Sequence, residues 1–114
     1  MTALNDDIRL RHMLDAANQA IAFMEGRSRL SLDADAMLLL AVVKAIEIVG
    51  EAAAKITKER QADIPQIPWP QIISMRNRLT HAYFDIDTDV VWQTVFEDLP
   101  ELIRELERVT VIDK

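Results

Sequence analysis

The chain contains no cysteine, which excludes disulfides, thiolate catalysis and cysteine-ligated zinc. It has two glycines and four prolines, while half its residues are hydrophobic. Disorder is therefore not expected. Alanine, leucine and isoleucine dominate, and long stretches lack any turn signal, so the expected fold is all-α. Long apolar runs are missing too. The longest, Ala36–Val43, is far short of the roughly 20 residues that span a bilayer. No secretory leader is expected, because Asn5–Arg9 is charged where an apolar stretch would be needed. A soluble cytoplasmic protein with no membrane partner follows. There is no Gly-rich phosphate loop, no Ser-His-Asp set and no carboxylate cluster spaced for Mg²⁺, and no cofactor is expected.

What is present fits one domain, residues 1–114, large enough for a single modest core. The formal net charge of −6 runs against a simple nucleic-acid binder, which is usually basic. Any phosphate site would have to be a local cationic patch on an acidic body.

The expected architecture is an up-and-down helical bundle of four main helices. A first helix should start after Asn5 or Asp6, both good caps, and run to Met24. Leu10, Leu14, Ala17, Ile21 and Met24 form its packing stripe, and Gly26 is its stop. Arg9, Arg11, His12 and Arg27 lie off the stripe, on a face better read as solvated than as RNA-binding. A second helix should run from Ser31 or Asp33 to Lys58. Its polar residues Lys44, Glu47, Glu51, Lys55 and Lys58 keep to one line of about 80°, and almost everything else is apolar. Such a helix is buried on more than one side, which suggests a central position and an interface with a second copy. Gly50 would let another backbone approach or mark a mild kink, the close approach being the preferred reading. Glu47 and Glu51 lack the Glu-x-x-His partners of di-metal bundles, so salt bridges are the preferred reading, with Glu51 as candidate support for an active-site cation.

Gln61–Trp69 reads as the one real loop. Pro70 suits the first turn of a third helix, continuing to Tyr83. Asp87 or Thr88 should cap a fourth, with Val91, Trp92, Val95 and Phe96 turned inward. Pro100 either kinks that helix or starts a fifth, Glu101–Val109, with Leu102, Leu106 and Val109 as its stripe. Thr110–Lys114 reads as a frayed tail.

The functional candidates crowd into Met75–Asp85. Taken as helix, Arg76, Asn77, Thr80 and His81 fan over an arc of roughly 140°, beside an apolar arc of Ile72, Met75, Leu79 and Tyr83. A cation, an amide, a hydroxyl and an imidazole on one side suit an anionic substrate. A purely structural reading stands beside this one, since Arg and His near a helix C-terminus are favoured by its dipole.

Arg76-x4-His81-x-Tyr83 matches the R-x4-H-x-Y motif and resembles the HEPN ribonuclease domains, in particular the HepT toxins paired with minimal nucleotidyltransferase antitoxins. Trp69–Met75, Tyr83–Asp87, Val91–Gln93 and Ala45–Ala52 extend the likeness over most of the chain. The resemblance implies a metal-independent endoribonuclease toxin of a type II or type VII-like pair, with Arg76 and His81 catalytic. Asn77, Thr80 and Arg78 would position RNA. Tyr83 would accept AMP from a cognate nucleotidyltransferase.

The residues suit that chemistry. RNA carries its own nucleophile, the 2′-OH, so cleavage to a 2′,3′-cyclic phosphate needs positioning, proton transfer and charge stabilisation. Histidine exchanges protons near neutrality, and an arginine fork holds phosphoryl oxygens. In-line attack wants both a base and an acid, yet only His81 is on offer. A homodimer with a composite cleft would supply two. The alternative is a non-catalytic helical module that binds a nucleotidyltransferase or a nucleotide.

Overall fold

The computed structural model describes residues 3–82 and 85–110, with side chains over 5–79 and 85–110. It is all-α apart from one small hairpin. The helices are α1 (Ala3–Met24), α2 (Arg29–Ala34), α3 (Ala36–Ala54), α4 (Lys58–Asp63), α5 (Trp69–Ile73) and α6 (Met75–Leu79). Two short strands follow, β1 (Thr80–Ala82) and β2 (Asp85–Ile86), then α7 (Thr88–Gln93), a π turn over Thr94–Asp98 and α8 (Leu99–Thr110). Among the described residues no helix is long and apolar enough to cross a membrane.

The longest helix, α1, lies along α3 and also packs on α8. Leu10, Ala17 and Met24 of the expected stripe are buried, joined by Met13, Ala16 and Ala20. They meet Val42, Ile46, Val49 and Ala53 of α3, and Leu99, Leu102 and Leu106 of α8, in one continuous core. Each such leucine or isoleucine withdrawn from water contributes about 1.5–3 kcal/mol. Gly26 adopts a positive φ of 74°, and Arg27 N–H reaches back to the Met24 carbonyl, so this glycine does end α1. His12 is exposed.

Asp6 is not the cap of α1. It sits inside the helix, buried, and its carboxylate accepts from the Thr57 amide (3.0 Å) and the Thr57 hydroxyl (2.7 Å). Burial opposes its ionisation. The hydroxyl and amide of Thr57 and the nearby Arg60 guanidinium outweigh that and hold the carboxyl below its usual range.

The expected second helix is three. Asp35 interrupts it, turning its side chain to accept from Leu38 N–H at 3.1 Å and so capping α3. α3 ends at Ala54, and Thr57 caps α4 by accepting from Arg60 N–H at 3.2 Å. Lys58 therefore belongs to α4 and leaves the polar line of α3. The supposed loop from Gln61 is helical up to Asp63. Its side chains close the neighbouring helix ends, where carbonyls lack intrahelical partners. The Gln61 amide donates to the carbonyls of Ala53 (3.4 Å) and Ile56 (3.2 Å) at the end of α3. The Trp69 indole N–H is shared between the carbonyls of Gln61 (3.0 Å) and Ile64 (3.1 Å). These buried bonds fix the corner from which α5 departs.

At Pro100, where a kink or a fifth helix was expected, α8 begins at Leu99 and follows the π turn without a gap. Pro100 stands second in α8, and because it has no N–H to give, the preceding turn widens. Leu99 N–H reaches the Thr94 carbonyl five residues back, and the helical run from Thr88 to Thr110 stays continuous. Val91 and Val95 face inward as expected and Trp92 is half-buried, but Phe96 is exposed, its ring tilted against that of Trp92 at 4.1 Å between centroids. Thr110 is buried and donates to the Leu106 carbonyl at 2.8 Å, so the helix holds to that point. The rest of the expected tail lies outside the described residues.

Candidate active site

The segment rich in cations does not form one helix. Ser74 ends α5, its hydroxyl donating back to the Pro70 carbonyl at 2.9 Å, and α6 begins again at Met75. Ile72, Met75 and Leu79 are buried as the anchoring arc requires. Helix then stops at Leu79, four residues short of expectation. The chain turns extended, with Thr80 paired to Ile86 and Ala82 to Asp85, and Asp87 N–H donates to the Leu79 carbonyl at 2.6 Å. β-branched Thr80 is a poor helix former, and the hairpin takes over the backbone groups that another helical turn would have used. The helical fan of Arg76, Asn77, Thr80 and His81 is therefore corrected. Arg76 and Asn77 are on α6, while Thr80 and His81 are on β1, where the backbone advances about 3.3 Å per residue instead of 1.5 Å. The side chains of Thr80 and His81, and the whole of Tyr83, lie outside the described residues, so the expectations placed on them are not read from the structure.

Arg76 is located firmly. Its Nε donates to Oε2 of Glu47 on α3 at 2.7 Å, and its side chain stays 53% exposed. The register comes from Gly50. A Cβ at that position would lie 3.2 Å from the carbonyl oxygens of both Ile72 and Ile73, so a side chain there would need the backbone to give by a few tenths of an ångström. Glycine lets the end of α5 settle closely on α3 here, the close approach the sequence suggested. One turn further along the motif and one turn back along α3, Arg76 reaches Glu47. Lys44, a turn before, approaches the other carboxylate oxygen at 3.9 Å. Two cations and one carboxylate thus share a shallow, solvent-facing patch.

Glu51, the expected support, is exposed and lies one turn beyond Glu47, on the other side of Gly50 from it. The glutamate that holds the motif arginine is Glu47. Sequence alone put Glu51 forward, and the missing signal was the antiparallel contact at Gly50. Asn77 is exposed beside Arg76. Arg78 points elsewhere, 3.5 Å from Asp98 at the edge of a separate groove of about 400 Å³ lined by Ile67, Gln71, Met75, Glu101 and Leu102. It is not brought together with Arg76.

Arg27, the cationic candidate just past α1, is likewise engaged elsewhere. It pairs with Asp35 at 3.4 Å. Arg29, which spacing did not single out, joins Asp33 (3.0 Å) to Asp89 (2.7 Å) and donates to Thr88 (2.8 Å). It pins α2 to the start of α7. Among the described residues no group of three or more His, Asp or Glu side chains is placed to hold a metal ion.

An exposed arginine held by its Nε keeps its terminal amino groups for an anion, the bidentate geometry that suits a phosphate. The chain is similar to known proteins. The family model described as Ribonuclease HepT-like matches residues 13–109. A protein of Methanocaldococcus jannaschii named "Putative RNase MJ1380" is 35% identical over 100 residues, 88% of this chain and 92% of its own. "Putative RNase TTE0752" of Caldanaerobacter subterraneus subsp. tengcongensis is 30% identical over 105 residues, covering 92% and 94%. "Probable ribonuclease HepT" of Thermococcus cleftensis is 44% identical over 69 residues, 60% of this chain and 63% of its own. No solved structure matches. The family model covers α3, α6 and both strands, where the R-x4-H-x-Y motif and its glutamate partner lie, and this chain belongs to the HepT-like ribonuclease family.

Proposed function

We propose that this ribonuclease is the toxin of a toxin–antitoxin pair, a single HEPN-like domain that cuts cytoplasmic RNA without a metal ion. The observation that carries this reading is Arg76, exposed on α6 with its Nε engaged and its terminal amino groups free of partners among the described residues. In the proposed reaction the 2′-oxygen attacks the adjacent phosphorus and the bond to the 5′-oxygen breaks. The products are a 2′,3′-cyclic phosphate and a 5′-hydroxyl. One His81 takes the 2′-OH proton and a second supplies a proton to the departing 5′-oxygen. Arg76 opposes the charge that grows on the phosphoryl oxygens, and Asn77 and Thr80 orient the substrate.

Two copies of His81 require two chains. The solvent-facing line of α3 supports a homodimer, because Met37 (82% exposed) and Leu40 (60%) continue the line of Lys44, Glu47 and Glu51 at alternating steps of three and four. Leu30 of α2 adds a further exposed apolar side chain. Apolar groups this open on a small domain are a natural place for a second copy to dock.

Control would come from a cognate minimal nucleotidyltransferase. The Tyr83 hydroxyl attacks the α-phosphorus of ATP, pyrophosphate leaves, and AMP remains on the tyrosine. The added phosphate and bulk would occupy the arginine and repel RNA. Analysis of cleaved RNA ends tests the reaction. Cyclic phosphates formed in EDTA support it, and 3′-hydroxyl ends would rule it out.

A further inference from the structure

We infer that Glu47 is a positioning residue for RNA cleavage, holding the Arg76 guanidinium by its Nε so that the terminal amino groups face the scissile phosphate. The inference rests on the reading that Arg76 contacts phosphate. Three observations carry it. The Nε–Oε2 contact of 2.7 Å lies at the short end of the range for a charged pair, and it joins residues 29 positions apart on α3 and α6. Glu47 is the more buried partner, its side chain 20% exposed against 53% for Arg76. The register that brings them together is set by backbone, at Gly50 against Ile72 and Ile73, and not by the pair itself.

A surface ion pair of this kind contributes little to stability. Its geometry offers something else. A guanidinium has five donors in a fixed plane, and an acceptor on Nε fixes the orientation of that plane. An arginine without such a tether samples many rotamers, and each binding event must then order it. A carboxylate so near also carries a cost, because it weakens attraction for RNA in the ground state. The two effects separate in kinetics. Orientation appears in kcat, and the extra negative charge appears in binding.

The test uses the full chain, a fluorophore- and quencher-labelled single-stranded RNA, and a non-cleavable 2′-O-methyl analogue for binding. Glu47→Ala should lower kcat by about ten- to a hundred-fold, while the analogue binds as well as or better than to wild type. Glu47→Gln keeps an oxygen to accept from Nε, so it should recover kcat to within a few-fold of wild type. A residue that served folding alone would lower the melting temperature and leave kcat per folded molecule unchanged. Wild-type kcat in Glu47→Ala, with Arg76→Ala inactive, overturns the inference and leaves the assignment of Arg76 intact. Glu47→Gln as slow as Glu47→Ala, or a loss confined to KM, overturns it as well. Arg76→Ala at the wild-type rate overturns both.

Discussion

Gly50 and Ile72 meet so closely that a Cβ on the glycine would stand 3.2 Å from the isoleucine's carbonyl oxygen. This contact brings the helix pair α5–α6 onto α3 and sets the register in which Arg76 finds Glu47. A side chain there must push backbone, which cannot rotate away. Gly50→Val should cost about 1–3 kcal/mol of stability, the usual range for overpacking. It should also lower ribonuclease activity by more than its unfolded fraction explains. Urea denaturation together with RNA cleavage measures both, and an unchanged midpoint with full activity would contradict the role given to this contact.

Asp6 makes a second prediction, in pH. Its carboxyl titrates lower in the fold than in the unfolded chain, where the value is near about 3.9. Ionised Asp6 is therefore favoured by folding. Its contribution is fully present above the unfolded value and is lost as pH falls through the folded one. At neutral pH Asp6→Ala should cost about 1–3 kcal/mol, since Thr57 loses a buried acceptor. The gap between wild type and variant should narrow below about pH 4. Thermal melts from pH 7 down to pH 3 check this, and a gap independent of pH would contradict it.

Assembly can be tested at Met37 and Leu40, two largely exposed apolar side chains of α3. Met37→Glu and Leu40→Glu should leave the fold intact, because neither side chain is in the core. Sedimentation should show a dimer for wild type at micromolar concentration and a monomer for the double variant, with cleavage lost in the monomer. A wild-type monomer that cleaves RNA would contradict the composite site.

Much of this was legible in sequence, and the failures share a cause. Leu10, Ala17 and Met24 gave the buried side of α1 because helical periodicity is local. Gly50 was recognisable as a close approach because glycine inside an otherwise apolar helix has few other uses. Asp6 was misjudged as a cap because its true partner, Thr57, lies 51 positions away. Glu51 was preferred to Glu47 as support because which glutamate meets Arg76 depends on an antiparallel register between helices, and no spacing within α3 encodes it. His81 was placed on a helix because the competing partner of its segment, Asp85–Ile86, is a strand two residues long. Non-local pairing decided each of these cases.

Tyr83 carries the proposal on regulation. Incubation with the cognate nucleotidyltransferase, ATP and Mg²⁺ should add AMP-sized increments to the intact mass of wild type and none to Tyr83→Phe, with ribonuclease activity falling as the increments appear. Equal modification of the Phe variant would move the acceptor elsewhere and contradict this account.

The most direct measurement is RNA cleavage in EDTA by wild type, Arg76→Ala and His81→Ala, each first shown to be folded by circular dichroism. Wild type should remain active, and each variant should lose about a hundred-fold or more, the range for removing a proton-transfer group or a charge stabiliser. Asn77→Ala should lose less. His81→Ala cleaving at the wild-type rate would contradict the mechanism.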